Sequence, residues 1–381
     1  MKYAIIVIAY NREKSLQRLL CSLEKAEYYG DNITLIISID KSDNPLVEEY
    51  ANIFTWKHGL KIVNVQKNNL GLKNHILKCG NYLNEYELDA AAILEDDILV
   101  SEGFYNYMRQ SVPFYKNCTQ IAGISLYTHL WYIPCERPFI PQPSTYDTYF
   151  MKYAQSWGQI WLRKPWNEFY NWYLKQNGKF DPDPQIPSNL WSWPDSSWLR
   201  YHIKYCITEN KYFVYPYISL TTNCSDIGTN YRKTDNSTQV PVLCGKNKRY
   251  YFSTFDKNAI RYDGFWEREN LEEILSLPTG MLSVDLYGFR IENKSKYLLT
   301  LEHKQYKIVR SFSLRYRPHE MNIIENQEGN EIFLYDLDKP EKQIFHNDPI
   351  TIKWIYDFRK PGTLKKAWWR LIINFIKNKW R

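Results

Sequence analysis

Continuous apolar runs alternate with stretches of helical period through the first hundred residues of this chain. After Lys2, the segment to Ala9 (KYAIIVIA) is unbroken in its apolar character and rich in isoleucine and valine, which predicts a strand buried on both faces. Tyr10-Asn11-Arg12 follows, and then Leu16, Leu19, Leu20 and Leu23 recur at helical spacing. Residues Ile33–Ile39 (ITLIISI) predict a second buried strand that closes on Asp40-Lys41-Ser42-Asp43, and another short strand is expected near Lys61–Val65. The segment Asn69-Leu70-Gly71-Leu72-Lys73-Asn74 opens a helix through Tyr82. Residues Ala90–Leu94 (AAAIL) then predict a strand that runs straight into Glu95-Asp96-Asp97. Strands alternating with helices imply βαβ units and a mostly parallel sheet. Ligands of such sheets bind beyond the carboxyl ends of the strands. Three of these ends are polar: Asn11/Arg12, Asp40 and Glu95/Asp96/Asp97.

From about residue 106 to 260 the pattern becomes aromatic and loop-rich. SWGQIWLRKPW (156–166) leads into a helix-like stretch to Lys175, and DPDPQIP (181–187) precedes NLWSWPDSSWLRYHIK (189–204). A strand-like FVYPYISL (213–220) ends in the polar loop TTNCSDIGTNYRKTDNS (221–237), a candidate lid. After a short helical LEEILSL (271–277), residues 283–358 hold short β-prone segments: YLLTLEH, YKIVRSFSLRY, MNIIEN, EIFLYDL and ITIKWIY. They predict a small β-rich appendage.

Composition narrows the class. With 381 residues, 44% hydrophobic and 24% charged, the chain is neither disordered, collagenous nor a coiled coil. No apolar run approaches the ~20 residues that span a bilayer. The early run lacks the basic flank and small-residue cleavage site of a signal peptide, which predicts a cytoplasmic protein. Cys21, Cys79, Cys118, Cys135, Cys206, Cys224 and Cys244 form no CxxC pair, so neither a disulfide framework nor a zinc cluster is expected. The net charge of +7 is concentrated: residues 361–381 carry Lys365, Lys366, Arg370, Lys377, Lys379 and Arg381 with no acid. Without those six the other 360 residues stand at +1. No groove-like spread of basic residues speaks for a nucleic-acid partner. On a helical wheel the tail places Leu364, Trp368, Leu371, Ile372, Phe375 and Ile376 opposite Lys366, Arg370, Asn374, Lys377, Asn378 and Arg381, after a break at Pro361-Gly362. A basic amphipathic helix with tryptophans fits an anionic membrane surface.

The sharpest chemical signal is Glu95-Asp96-Asp97 at the end of a buried strand. Three crowded carboxylates are costly without a cation. Oxygen donors at such a point suit a hard divalent ion, Mn2+ or Mg2+, shared with substrate phosphates.

In this order the segments YAIIVIAYNREKSLQRLLCSL, LIISIDKSD, NLGLKNHI and ILEDDILVSEGFYNYM resemble the GT-A-fold glycosyltransferases. The Glu-Asp-Asp form is similar to that of the Golgi N-acetylglucosaminyltransferases and their bacterial relatives. SWGQIW and YPYISLTTNCSDIGTNYRKTD resemble segments of bacterial polysaccharide glycosyltransferases. The resemblance covers roughly residues 1–240. It implies an α/β fold, a Rossmann-like mixed sheet flanked by helices. The expected plan is a nucleotide-sugar-binding half at 1–105 and an acceptor-binding, catalytic half at 106–260. A β-rich accessory region at 261–358 and an amphipathic helix at 359–381 complete it.

The resemblance also implies roles. Asp40 would read the nucleobase, against the alternative of a turn or helix-capping Asp. Arg12 would meet the diphosphate, and Ala9, Tyr10, Asn11 and Lys73 would line the donor site. Asp96 would contact the ribose or a metal-bound water, Asp97 the metal, and Glu95 the donor sugar. Asp195 in Trp193-Pro194-Asp195-Ser196-Ser197-Trp198 would be the base that deprotonates the acceptor in an inverting displacement; Asp183 and Asp226 are substitutes, and a cap of the helix SSWLRYHIK is the structural alternative. Where bacterial relatives place a loop histidine, this chain has Gly228-Thr229-Asn230. His202 reads as structural, and Trp157, Trp191, Trp193 and Trp198 read equally as core residues or sugar platforms. The implied activity is transfer of a hexosyl or N-acetylhexosaminyl group from a UDP-sugar to a saccharide, lipid-linked as in capsule or O-antigen assembly at the inner face of the plasma membrane. A retaining transferase and a non-catalytic sugar-binding subunit are the alternatives.

Overall fold

A computed structural model describes residues 1–132, 137–176, 178–228, 236, 238–345 and the tail positions 368, 369, 372, 373 and 376. The chain divides into two compact units. The first comprises Met1–His129, Ser144–Pro182 and Leu190–Ala259; the second comprises Leu130–Pro143, Asp183–Asn189 and Ile260–Arg381.

The first unit holds, in chain order, β1 (Tyr3–Ala9), α1 (Glu13–Glu24), β2 (Thr34–Ile39), α2 (Leu46–Ile53), β3 (Lys61–Val65), α3 (Gly71–Glu85) and β4 (Ala90–Glu95). There follow β5 (Ile98–Val100), α4 (Phe104–Tyr115), β6 (Ile121–Ser125), β7 (Thr148–Met151), β8 (Gln159–Leu162) and α5 (Arg163–Lys175). Then come α6 (Leu199–Thr208), β9 (Tyr212–Pro216) and β10 (Thr221–Asn223). Within this unit the large sheet has the order β7-β9-β6-β8-β4-β1-β2-β3. The run β4-β1-β2-β3 is parallel throughout. Beyond it the sheet turns mixed: β8 is antiparallel to β4 and β6, and β9 runs parallel to β6 but antiparallel to β7. The mostly parallel expectation therefore holds for the first four strands only, while the mixed sheet implied by the resemblance is present. The inserted strand QIWL has four residues and leads straight into α5, too short a pattern for the apolar-run criterion to find.

Burial follows the sequence pattern. Every residue of β1 from Ala4 is buried, and α1 turns Ser15, Leu16, Leu19, Leu20 and Leu23 inward. Helix α3 meets α5 where the Trp166 ring lies against Gly80; a Cβ there would stand 2.0 Å from the ring, so only glycine lets the helix approach.

The second unit contains a four-stranded sheet in the order Leu282–Val284, Tyr297–Thr300, Ile332–Pro340, Tyr306–Phe312. Leu271, Leu299, Phe312, Ile323, Ile332 and Leu334 are part of its apolar core. A small hairpin pairs Trp131–Tyr132 with Arg137–Pro138. MNIIEN, expected as β, forms the helix Met321–Ile324 instead. Its reason is Asn322, fully buried: Oδ1 accepts from Ser313 Oγ and the Tyr316 N–H, and Nδ2 donates to the carbonyls of Tyr316 and His319. A saturated amide of this kind holds a turn against local strand preference. ITIKWIY and most of the tail lie outside the described residues. Among the described residues no helix is long and apolar enough to cross a membrane.

Candidate functional site

Register brings the polar strand ends together. Ala9 pairs with Ile39, and Ile8 with Glu95, so β1, β2 and β4 stop at nearly one level. The residues that follow, Tyr10 to Arg12, Asp40 and Asp96-Asp97, therefore emerge along one edge. Asp40 is buried; its Oδ1 accepts from the N–H groups of Lys41 (2.9 Å) and Leu70 (2.9 Å), and its Oδ2 from Gly71 (3.0 Å). Asp40 thus anchors the start of α3, where Gly71 takes a positive φ of 71°. The anchoring role given as the alternative is real, and Oδ2 still has capacity for another donor. Beside it an open groove of about 700 Å³, counted out to its mouth, is lined by Asp40, Lys41, Ser42, Asn44, Pro45 and Val65. Ser42 and Asn44 fix its rim by donating to the carbonyls of Tyr10 (3.2 Å) and Asn11 (3.0 Å).

At the end of β4 the three acids sit where like charges repel. Burial first, then Asp97 and Asp96, raise the Glu95 carboxyl to about 8, with Arg12 opposing. Burial raises Asp96 to about 6 against the pull of Arg12 and a backbone hydrogen bond from Tyr10. Arg12 answers this charge directly: its Nη2 donates to Asp96 Oδ1 and its Nη1 to Asp97 Oδ2 (3.1 Å). Burial works against the guanidinium charge, but Asp96 and Asp97 outweigh it and hold its pKa above the ordinary value. Among the described residues no three acids, histidines or cysteines are arranged to cage a metal by themselves. The donor set still fits one. Asp96 and Asp97 jointly take up a cation, here Arg12, and they are oxygen ligands of the kind that Mg2+ or Mn2+ shares with phosphates and water.

Sequence reasoning missed a clamp beside this cluster. Ser15 Oγ donates to Asp226 Oδ2 at 2.7 Å, and Arg18 donates to both oxygens of the same carboxylate. Burial opposes ionisation there, yet the bonds from Arg18 and Ser15 hold Asp226 below the usual carboxylate range. A carboxylate so held is a poor base, so Asp226 serves as an anchor. The clamp ties the segment after β10 to α1, and Gly228 lies against Arg12. The available signal was Ser15 and Arg18 at i, i+3, one face of the helix that follows β1. Thr229 and Asn230 lie outside the described residues.

Asp195 stands at the same end of α3. Lys73, in the first turn of that helix, donates from Nζ to the Asp195 carbonyl at 2.8 Å. The Asp195 side chain is 92% exposed, and its Oδ1 pairs with Arg200, which is only 3% exposed. The expected helix 196–204 begins at Leu199 without a side-chain cap, so Asp195 does not cap it. His202 is buried and stacked on Phe169 at 4.0 Å, with burial lowering its pKa to about 3. It is structural, as read. Trp198 is buried, whereas Trp157, Trp191 and Trp193 are half-buried.

Every donor-side residue named above lies between Ala9 and Asp97. Residues 4–103 match the family described as glycosyl transferase family 2. With the mixed sheet and its aligned strand ends, this match bears out the GT-A-type glycosyltransferase resemblance for the first unit. No curated protein matches the chain by sequence. Among solved structures, residues 1–349 of S. aureus TarS are 17% identical over 57% of this chain and 60% of that one, with a TM-score of 0.32. The same TarS segment in complex with UDP-GlcNAc matches at 17% identity over 56% of this chain and 58% of that one, TM-score 0.32. A mannosyltransferase from Pyrobaculum calidifontis in complex with GDP-Man and Mn2+ is 12% identical over 56% and 54%, TM-score 0.36. The matches reach 60% or less of the length of these structures.

Proposed function

We propose that this protein transfers a hexosyl or N-acetylhexosaminyl group from a UDP-sugar to a saccharide hydroxyl, with inversion. The observation that carries the reading is the alignment of three polar strand ends, Arg12, Asp40 and Glu95–Asp97, inside the segment that matches glycosyl transferase family 2. The open groove beside Asp40 takes the nucleobase, and Asp40 accepts from its edge with the capacity left over from holding α3. Arg12 exchanges carboxylate for diphosphate oxygens, bonds of the same charge-assisted kind. Asp97, with Asp96 beside it, holds a divalent ion, Mn2+ or Mg2+, which when bound neutralises charge on the leaving diphosphate. Glu95 faces the donor sugar. Asp195 takes the proton of the acceptor hydroxyl with Oδ2, the oxygen not engaged by Arg200.

The acceptor in this proposal is carried on a polyprenyl diphosphate at the inner face of the plasma membrane, in assembly of a surface polysaccharide such as capsule or O-antigen. Support comes from the tail: Trp368, Trp369, Ile372, Ile373 and Ile376 are helical and exposed. Exposed tryptophan and isoleucine within a basic segment suit an anionic bilayer surface.

A panel of nucleotide sugars offered with manganese, with magnesium and with chelator tests the reading, with Asp97→Ala alongside. Metal-dependent release of one nucleoside diphosphate, lost in Asp97→Ala, is the expected result. No hydrolysis combined with no metal-dependent nucleotide binding would replace it with a sugar-binding scaffold.

A further inference from the structure

The second unit contains a cleft of its own. It measures about 560 Å³ out to its mouth, with a cavity of about 50 Å³ inside. The floor is aromatic: Tyr132 stacks on Trp266 (4.8 Å, 18°), and Phe139 meets Trp266 and Tyr262 edge-on. Against this floor lies Arg137, at 5% exposure, with its guanidinium over the Tyr287 ring at 3.7 Å. Its Nε and Nη1 are buried and meet no hydrogen-bond partner among the described residues. An arginine so placed is expensive in the free protein. Arg317 stands exposed at the rim, and Arg268 lies deeper, its donors committed to Gln142 and the Glu269 carbonyl.

The two acids of the lining are each engaged by another group. Glu320 accepts from the Tyr262 hydroxyl at 2.7 Å, and Glu267 from the Leu286 N–H at 2.9 Å. Burial raises both carboxyls, toward the neutral form. His319 reports the same field: burial, then Arg137 and Arg317, lower its pKa to about 3. The cleft is thus a half-open, arginine-lined spot with guanidinium N–H groups that meet no partner among the described residues and room for a few atoms.

We propose that this cleft binds a small oxyanion, a phosphate or carboxylate, with Arg137 as its principal partner and Arg317 closing on it from the rim. The fork geometry of a guanidinium matches either group. The space holds the head group alone, so the source is either the free ion or such a group on a saccharide whose ring rests outside, against the half-exposed Tyr287 and Pro138. The site does not depend on the nucleotide-sugar reading of the first unit.

Calorimetric titration of the full chain with inorganic phosphate, glucose 6-phosphate, glucuronate and glucose tests it, with thermal melts in parallel. At least one anionic probe is expected to bind and raise the melting temperature, with glucose silent. Tighter binding of glucose 6-phosphate than of phosphate assigns the source to a saccharide; equal binding assigns it to the free ion. Arg137→Met should lose that binding at least tenfold and, relieved of an unpaired buried charge, melt higher than wild type without ligand. Arg317→Gln, at the exposed rim, should weaken it severalfold and keeps the test open if the first variant fails to fold. No anionic probe bound at 10 mM, or binding unchanged in both variants, overturns the proposal.

Discussion

Two side chains at the strand ends do more than one job, and substitutions can separate the jobs. Asp40→Ala removes the acceptor of three backbone N–H groups at the start of α3. At ~1.5–3 kcal/mol for a hydrogen bond to a charged group, partly recovered by water, a loss of about 3 kcal/mol in denaturant unfolding is expected. A loss below ~0.5 kcal/mol would show that α3 stands without it. Arg12→Ala leaves Asp96 and Asp97 without their cation. Manganese alone should therefore raise the melting temperature more in Arg12→Ala than in wild type; an equal shift would mean Arg12 does not compete for that place. The acids were legible because a buried strand that ends in Glu-Asp-Asp demands a counter-charge; Arg12 came from the resemblance, as a partner of the diphosphate and not of the acids. Asp226 was legible only as a spare base. Its partners Ser15 and Arg18 lie more than two hundred residues earlier in the chain, a distance no local pattern spans.

Helices α3, α5 and α6 show how packing sets their cost. Gly80→Ala would push a Cβ into the Trp166 ring and should destabilise by ~1–3 kcal/mol, the range for overpacking, as read by thermal or chemical unfolding. His202 on α6 makes the opposite case. Neither ring nitrogen meets a partner among the described residues, and its folded pKa of about 3 lies below the ordinary value of 6.5. As pH falls below ~6.5 the unfolded chain takes this proton first, so stability is lost progressively down to pH ~3. His202→Phe removes that loss: at pH 5 it should gain about 2 kcal/mol over wild type relative to the difference at pH 8. Parallel pH profiles for the two proteins would refute it. The long apolar or periodic elements, β1, β2 and β4 with α1 and α3, were readable because a strand buried on both faces leaves an unbroken apolar run and a helix repeats its buried face. Helix α2 buries only Val47 and Ala51, and β7 and β8 have four residues each, too little pattern for a period to register.

For the molecule as a whole, the tail can be tested by removal. A chain ending at residue 360 should stay in solution with anionic vesicles that sediment the full chain; equal sedimentation would place the membrane contact elsewhere. Removing the whole second unit is a different matter, because that unit is assembled from three stretches separated along the chain. Tyr132 and Phe139 find Trp266 and Tyr262, and the sheet strand Ile332–Pro340 comes about two hundred residues after the hairpin. At ~5–20 residues per second, a ribosome leaves that hairpin waiting for roughly 6–25 seconds before Tyr262 and Trp266 emerge. The nascent chain must therefore carry a sticky aromatic loop through the synthesis of nearly half of the first unit. Any fragment that stops at residue 259 keeps that loop permanently in its newborn state, a client for chaperones.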